Sequence, residues 1–202
     1  MSRISDQAGL DALYGEPVPA SLAKVADRVT PSYRRLIEAA PFCVLATVGP
    51  GGVDATPRGD AAGFVHVENE RTLMLPDRRG NNRIDSLRNL VADPRLHLLF
   101  LLPGLGETLR VNGMGEIHAG EGLLQRFAVA GKAPRTVLVI RVTEVYFQCS
   151  RAVLRARLWE PETRVDRAAL PTPGRILAEV SAGRIGAEYD EGLDARLRAN
   201  LY

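Results

Sequence analysis

Cysteine and histidine are scarce in this 202-residue chain, two of the first and three of the second. Cys43 and Cys149 lie inside apolar, strand-like runs and show no metal-ligand spacing. They read as reduced core thiols of a cytosolic protein, which leaves neither a disulfide framework nor a metal site. His66, His97 and His118 each fall in a strand pattern with no partner at catalytic or metal spacing, so they are expected to be structural or exposed. No dedicated acid or base stands out. The net charge is only +2, which argues against a nucleic-acid partner. No run approaches the roughly 20 apolar residues of a membrane span, and the opening Met1-Ser-Arg-Ile-Ser-Asp6 lacks an apolar signal core. A cytoplasmic protein without a membrane partner is expected. With 46% hydrophobic residues the chain can bury one substantial core, and its composition is not that of a disordered segment.

Against that background the stretch Leu73-Met-Leu-Pro-Asp-Arg-Arg-Gly-Asn-Asn-Arg-Ile-Asp-Ser-Leu87 stands out. A short apolar strand runs into Pro76-Asp77, then a Gly-centred polar turn, then a helix with Ile84, Leu87 and Val91 at spacings of three and four. Arg78, Arg79 and Arg83 therefore gather at one helix N-terminus, whose unpaired N–H groups and positive dipole end already favour an anion. A phosphate between them would remove the repulsion. The alternative is that the arginines fan into water and Asn81 or Asn82 caps the helix.

Along the chain, Ser5 is expected to cap a short helix carrying Leu10 and Leu13 and ended by Gly15 and Pro17, with a second helix over Ala20 to Val29. Thr30-Pro31 sets a capping hydroxyl before a proline at the first helical position, with Tyr33, Leu36 and Ile37 as the apolar face. The period then becomes that of a sheet. Phe42 to Val48, Val53 to Pro57, Gly63 to Val67 and Leu73 to Leu75 are strands joined by turn signals. Leu96 to Leu102, Thr108 to His118 and Thr136 to Cys149 follow the helix, with Gly113 and Gly115 marking a bulge or close backbone approach. A short helix over Gly122 to Ala128 separates the last two. Ser150 is expected to cap a helix in which Arg151 and Arg155 share one face while Val153, Leu154 and Leu158 pack inward. Arg164 to Pro173 reads as a connector, and Ile176 to Ala182 and Leu193 to Leu201 as two final helices. Strands joined mainly by hairpins argue for an antiparallel barrel.

The order of these parts resembles the pyridoxamine 5′-phosphate oxidase-like flavoproteins, and more closely a bacterial branch predicted to bind flavin nucleotides. The resemblance runs from about Tyr33 to Trp159. It is carried by Ala55-Thr-Pro-Arg-Gly-Asp60, Asp77-Arg-Arg-Gly-Asn-Asn-Arg83, Asp93-Pro-Arg95, Glu107-Thr-Leu-Arg-Val-Asn-Gly113, Gln148-Cys-Ser-Arg-Ala-Val-Leu-Arg155 and Leu158-Trp-Glu-Pro161. It implies a mainly β fold with flanking helices, an antiparallel six-stranded FMN-binding split β-barrel over 41–159. An N-terminal helical segment, 1–40, would pack on the barrel and a C-terminal helical extension, 160–202, would follow it.

The same resemblance implies a homodimer with FMN at the subunit interface. Arg58 falls where a strand arginine contacts the FMN phosphate or ribityl chain. Leu75, Pro76 and Asp77 match the strand end beside the flavin ring, and Arg79, Asn82 and Arg83 the phosphate grip, with Arg78 as a fourth. Thr108 stands where the oxidases place a glutamine that reaches FMN across the dimer, with Arg110 two residues on and on the same strand face. Arg151, Arg155 and Trp159 match a region that serves the partner's flavin; the bland alternative is a surface helix stapled to the barrel.

Departures narrow the chemistry. Gly63 stands where the oxidases carry a substrate-touching lysine, and their C-terminal Arg-x-His element is absent, so pyridoxal phosphate synthesis is not expected. What remains is an FMN-dependent oxidoreductase taking electrons from NAD(P)H or a small organic substrate, its catalytic residues unassigned. Alternatives are a flavin carrier or redox sensor without turnover, or the same barrel holding deazaflavin F420 or haem. A further reading, a protein or RNA contact surface, is disfavoured by the near-neutral charge.

Overall fold

Residues 3–202 are described by a computed structural model. Three helices come first: α1 (Gln7–Asp11), α2 (Pro19–Ala23) and α3 (Pro31–Ala39). The cap of α1 is Asp6, which accepts from the Gly9 N–H, and not Ser5. The helix expected over Ala20 to Val29 is only α2, because the chain then extends and Ala26 exchanges backbone hydrogen bonds with Val145 at 2.9 and 2.8 Å. Thr30 caps α3 through the Tyr33 N–H at 3.3 Å with Pro31 in the first turn, as the sequence predicts.

Seven strands follow, all antiparallel to their neighbours: β1 (Phe42–Gly49), β2 (Gly52–Gly59), β3 (His66–Asn69), β4 (Thr72–Asp77), β5 (Arg95–Leu101), β6 (Thr108–His118) and β7 (Thr136–Gln148). Their order is β2-β1-β5-β6-β7-β4-β3. The expected six-stranded split barrel is therefore corrected to an open seven-stranded sheet whose outermost strands, β2 and β3, do not pair with each other. Both edges are poor templates for closure. Pro57 in β2 has no N–H to donate, and β3 is four residues long with a register break between Val67 and Asn69.

One face of the sheet carries the core, with Leu45, Leu98, Phe100, Leu109, Val111 and Ile140 packed under Ile37 of α3 and Leu90 of α4 (Asp85–Ala92). Burial there pushes the Cys43 thiol up to about 12, so it is inert. The expected bulge lies between Asn112 and Gly113. A side chain at Gly113 would meet the Arg141 carbonyl at 2.8 Å, and one at Gly115 would meet Leu96 and Leu138 at 2.7 and 2.8 Å, so close packing requires both glycines. Across the other face, Pro57, Val44, Leu99, Arg110 and Tyr146 form one row over five strands.

The remaining helices are α5 (Glu121–Gln125), α6 (Arg151–Ala156), α7 (Pro173–Val180) and α8 (Leu193–Ala199). Ser150 precedes α6 without a side-chain cap, and of the three residues expected inside only Val153 is buried; Leu154 and Leu158 are exposed. Cys149 is also not a core residue. It is half-buried, its sulfur accepting from Arg151 Nε at 3.4 Å, and hydrogen bonding from Arg151 lowers the thiol to about 7. No helix among the described residues is long and apolar enough to cross a membrane.

Candidate functional site

Three segments converge on one cavity of about 370 Å³: the second half of β2, the turn from Asp77 to Ser86 that joins β4 to α4, and Arg135 just before β7. Strand period two places Asp54, Thr56 and Arg58 on one face of β2, and the pairing of Cys43 with Arg58 makes that the core-side face. Arg58 is thereby aimed under the turn. Its Nη2 donates to Ser86 Oγ at 2.8 Å and stands 3.8 Å from Asp77 Oδ1. Burial pushes the Asp77 carboxyl above its ordinary value, with Arg58 and Arg135 opposing the rise.

The turn itself is strained. Asn82 and Ile84 both occupy the left-handed region, with φ of 61° and 51°. For a β-branched residue such as Ile84 this is a rare conformation that costs of order 1–3 kcal/mol. The strain has a local consequence: Ile84 occupies the N-cap position of α4 and no side chain caps that end. The alternative, a cap by Asn81 or Asn82, is not found, since Asn81 accepts from the Arg83 N–H at 3.0 Å and Asn82 from Arg135 Nη1 at 3.0 Å. The helix register differs as well. Ser86 and Leu90 face inward, whereas Ile84 and Val91 are exposed.

The arginines of the turn divide by what holds them. Arg78 is charge-paired: it donates to Asp60 at 2.8 Å and to the Phe127 carbonyl at 2.6 Å, and its guanidinium lies 5.6 Å from the Tyr202 ring centroid. Arg83 pairs with Asp85 at the exposed rim. Arg79 has no hydrogen-bond or carboxylate partner among the described residues, and Arg135 donates to the Asn82 amide oxygen while lying in the field of Asp77. Cation density around an uncapped helix start is an arrangement that receives an anion.

Of the residues singled out in the sequence, Arg58, Asp77, Arg78, Arg79, Asn82 and Arg83 line this cavity; Leu75 and Pro76 are buried in β4 behind it. Thr108, Arg110, Arg151, Arg155 and Trp159 do not line it. Thr108 pairs with Gln148, and Arg110 stacks 4.9 Å from the Tyr146 ring centroid on the face away from the core. Arg151 holds the Cys149 sulfur, Arg155 is exposed on α6, and Trp159 Nε1 staples to the Leu105 carbonyl at 2.7 Å. Sequence reasoning missed Asp54, Thr56, Ser86 and Arg135. Asp54 and Thr56 carry a signal, the alternation with Arg58; Arg135 carries none.

A family model described as pyridoxamine 5′-phosphate oxidase matches residues 29–149. Among solved structures, HupZ of Group A Streptococcus is 18% identical, covering 60% of this chain and 95% of its own, with a TM-score of 0.49. A Clostridium acetobutylicum protein related to general stress protein 26, of the pyridoxinephosphate oxidase family, is 13% identical over 58% of this chain and 86% of its own, with a TM-score of 0.46. General stress protein 26 of Bacillus anthracis is 20% identical over 56% and 88%, at 0.38. No curated protein matches the chain.

Proposed function

This chain belongs to the pyridoxamine 5′-phosphate oxidase family, and on that premise we propose that it is an FMN-binding flavoprotein. Its role would be oxidoreduction, passing electrons from NAD(P)H or a small organic substrate to an acceptor. Family membership supports a flavin-dependent redox role in general terms. The observation that carries the finer reading is the cationic cavity over the uncapped start of α4, with Arg58, Arg79 and Arg135 facing it.

The residues present fit a nucleotide phosphate. Guanidinium groups bind phosphate through charge-assisted, often paired hydrogen bonds. Arg58 would grip it, oriented by Ser86, while Arg79 contributes an uncommitted donor set. When bound, FMN supplies the two-electron chemistry, and the protein supplies position and electrostatics. A haem is disfavoured because no His, Cys or Tyr lines the cavity to act as axial ligand. Gly63 in place of a lysine speaks against pyridoxal phosphate synthesis.

Thr108, Arg110, Arg151, Arg155 and Trp159 lie off the cavity, so in this reading they act on the flavin of a second copy. The row Val44, Leu99 and Tyr146, flanked by exposed Phe42 and Val53, offers the apolar face for such a homodimer. A direct test is titration with FMN and with riboflavin, read by flavin fluorescence. Binding of FMN at least 100-fold tighter than riboflavin supports a phosphate grip; equal binding overturns it. NAD(P)H oxidation under air against a flavin-free control then separates an enzyme from a carrier.

A further inference from the structure

A hollow of about 540 Å³ lies where the chain leaves α2, and it shares no lining residue with the cationic cavity. Its wall is apolar, built from Val25, Tyr33, Leu36, Leu105 and Phe147. The second half of β7 forms one side of it. β4 covers β7 only as far as Arg141, and beyond that Val145 exchanges its N–H and C=O with Ala26 at 2.8 and 2.9 Å. Backbone groups of an antiparallel strand alternate in direction, so Phe147, two residues on, turns its N–H and C=O to the same side as Val145 and away from β6. Nothing meets them there. Lys24, which the register would set opposite, ends α2, and its C=O accepts instead from Tyr33 Oη at 2.5 Å. Among the described residues the Phe147 N–H and C=O have no partner, and they open toward Lys24 and Ala26, which line the hollow. The two charged side chains on the wall, Lys24 and Glu107, are of opposite sign, so the hollow selects for neither charge.

We infer that this hollow binds a single apolar amino-acid residue blocked at both ends, an N-acyl amino-acid amide, whose N–H and C=O pair with those of Phe147 as an added strand would. Such pairing needs a donor and an acceptor on either side of one α-carbon, because a lone trans amide points the two in opposite directions. Length is limited by the strand. Val145 is already taken by Ala26 and β7 ends at Gln148, so Phe147 is the one free rung and one residue fills it. The volume agrees, lying within the about 300–1,000 Å³ of small-molecule pockets. Blocked ends follow from the balanced charges of the wall, and an apolar side chain follows from Val25, Leu36 and Leu105. The site stands apart from the cationic cavity and does not depend on what that cavity holds.

N-acetyl-L-leucine N-methylamide is the probe, added to the full-length protein and followed by amide hydrogen exchange. In the free protein the Phe147 N–H should exchange fast while the Val145 N–H, bonded to Ala26, is protected; the probe should slow Phe147 at least tenfold. The single tryptophan, Trp159, donates to the Leu105 C=O at 2.7 Å on the same wall, so its fluorescence gives the affinity. The depsipeptide counterpart, with an ester oxygen in place of the leucine N–H, should bind at least tenfold more weakly. Ala23→Phe fills the hollow from an exposed position and should abolish binding while Val145 stays protected. Equal binding of amide and ester, binding indifferent to Ala23→Phe, or no binding overturns the inference. So does protection of Phe147 in the free protein: if it rises with protein concentration, a second copy holds the rung. A capped tripeptide binding at least tenfold tighter than the single residue overturns the limit to one rung.

Discussion

Arg58 on the edge strand β2 donates to Ser86 in the first turn of α4 at 2.8 Å, joining the two walls of the cationic cavity. Ser86 is 3% exposed, so its hydroxyl is held in place to aim the guanidinium. Arg58→Glu should abolish FMN retention while circular dichroism stays native, because it removes a charge-assisted bond and adds repulsion. Ser86→Ala leaves the charge but releases its direction. It should weaken FMN about tenfold, equivalent to about 1.4 kcal/mol, and a variant that binds as tightly as the parent would show that Ser86 does not orient Arg58.

Asp77 sets the pH response of the same cavity. Its folded-state carboxyl lies above the unfolded value because of burial, so the stability linked to it is full below the ordinary carboxylate range and is lost as pH rises through the folded value. Ionised Asp77 therefore opposes folding at neutral pH, and it competes with a phosphate for Arg58. Asp77→Asn should raise the melting temperature at pH 7, with the gain vanishing below about pH 4. FMN should bind about tenfold tighter, a Coulomb effect expected for a charge removed near Arg58. A lower melting temperature at pH 7 would mean that attraction to Arg58 outweighs burial.

Much of the scaffold is legible in the sequence because its signals are local. Thr30-Pro31 announces α3, and the alternation of Thr108 to His118 gives β6 to the residue. The failures come where partners far along the chain decide. Ile84, Leu87 and Val91 have helical spacing, yet Ser86 faces inward because Arg58, 28 positions away, holds it there. Arg135 reaches the turn from 53 positions beyond Asn82. The open sheet is likewise a property of strand order. Period two shows which face of β2 is buried but not whether β2 meets β3. The converging arginines were visible as a cluster; that Arg78 is spent on Asp60 and Arg79 is free was not.

Arg78, Asp60 and Tyr202 form a clasp on the rim of the cationic cavity. Burial alone would raise the Asp60 carboxyl, but hydrogen bonds from Tyr202, the Ala61 N–H and Arg78 bring it below its ordinary value. With a lowered folded value, the stability it contributes is present above the unfolded value and lost as pH falls through the folded one. Tyr202→Phe removes one of those donors, so acid unfolding should begin at higher pH than in the parent. Asp60→Ala, which strands Arg78 at 19% side-chain exposure, should destabilise by about 3 kcal/mol. Denaturant melts at pH 7 and pH 4 check both.

Gly113 tests the bulge. An added methyl would lie 2.7 Å from Ile140 and 2.8 Å from the Arg141 carbonyl, and the backbone atom cannot turn aside as a side chain can. Gly113→Ala should cost about 2 kcal/mol, the range for overpacking, seen as a lower urea midpoint at unchanged slope. The solvent-exposed Gly51→Ala, with nothing near its Cβ, is the control and should change little.

Leu99 lies at the centre of the face turned away from the core, between Val44 and Arg110. If a second copy covers that face, as proposed, Leu99→Arg places a charge in the contact and should give a monomer at micromolar concentration by light scattering. The folded chain should survive, because Leu99 is not part of the buried core. Flavin affinity is the sharper readout. Thr108, Arg110, Arg151, Arg155 and Trp159 lie off the cavity of their own chain, so under the proposed reading their contribution would exist only between copies, and the monomer should lose at least tenfold in FMN affinity. An Arg155→Ala variant should lose affinity in the parent background and lose nothing further in the Leu99→Arg background. Equal losses in both backgrounds would place Arg155 in its own chain's site and remove the second copy from flavin binding.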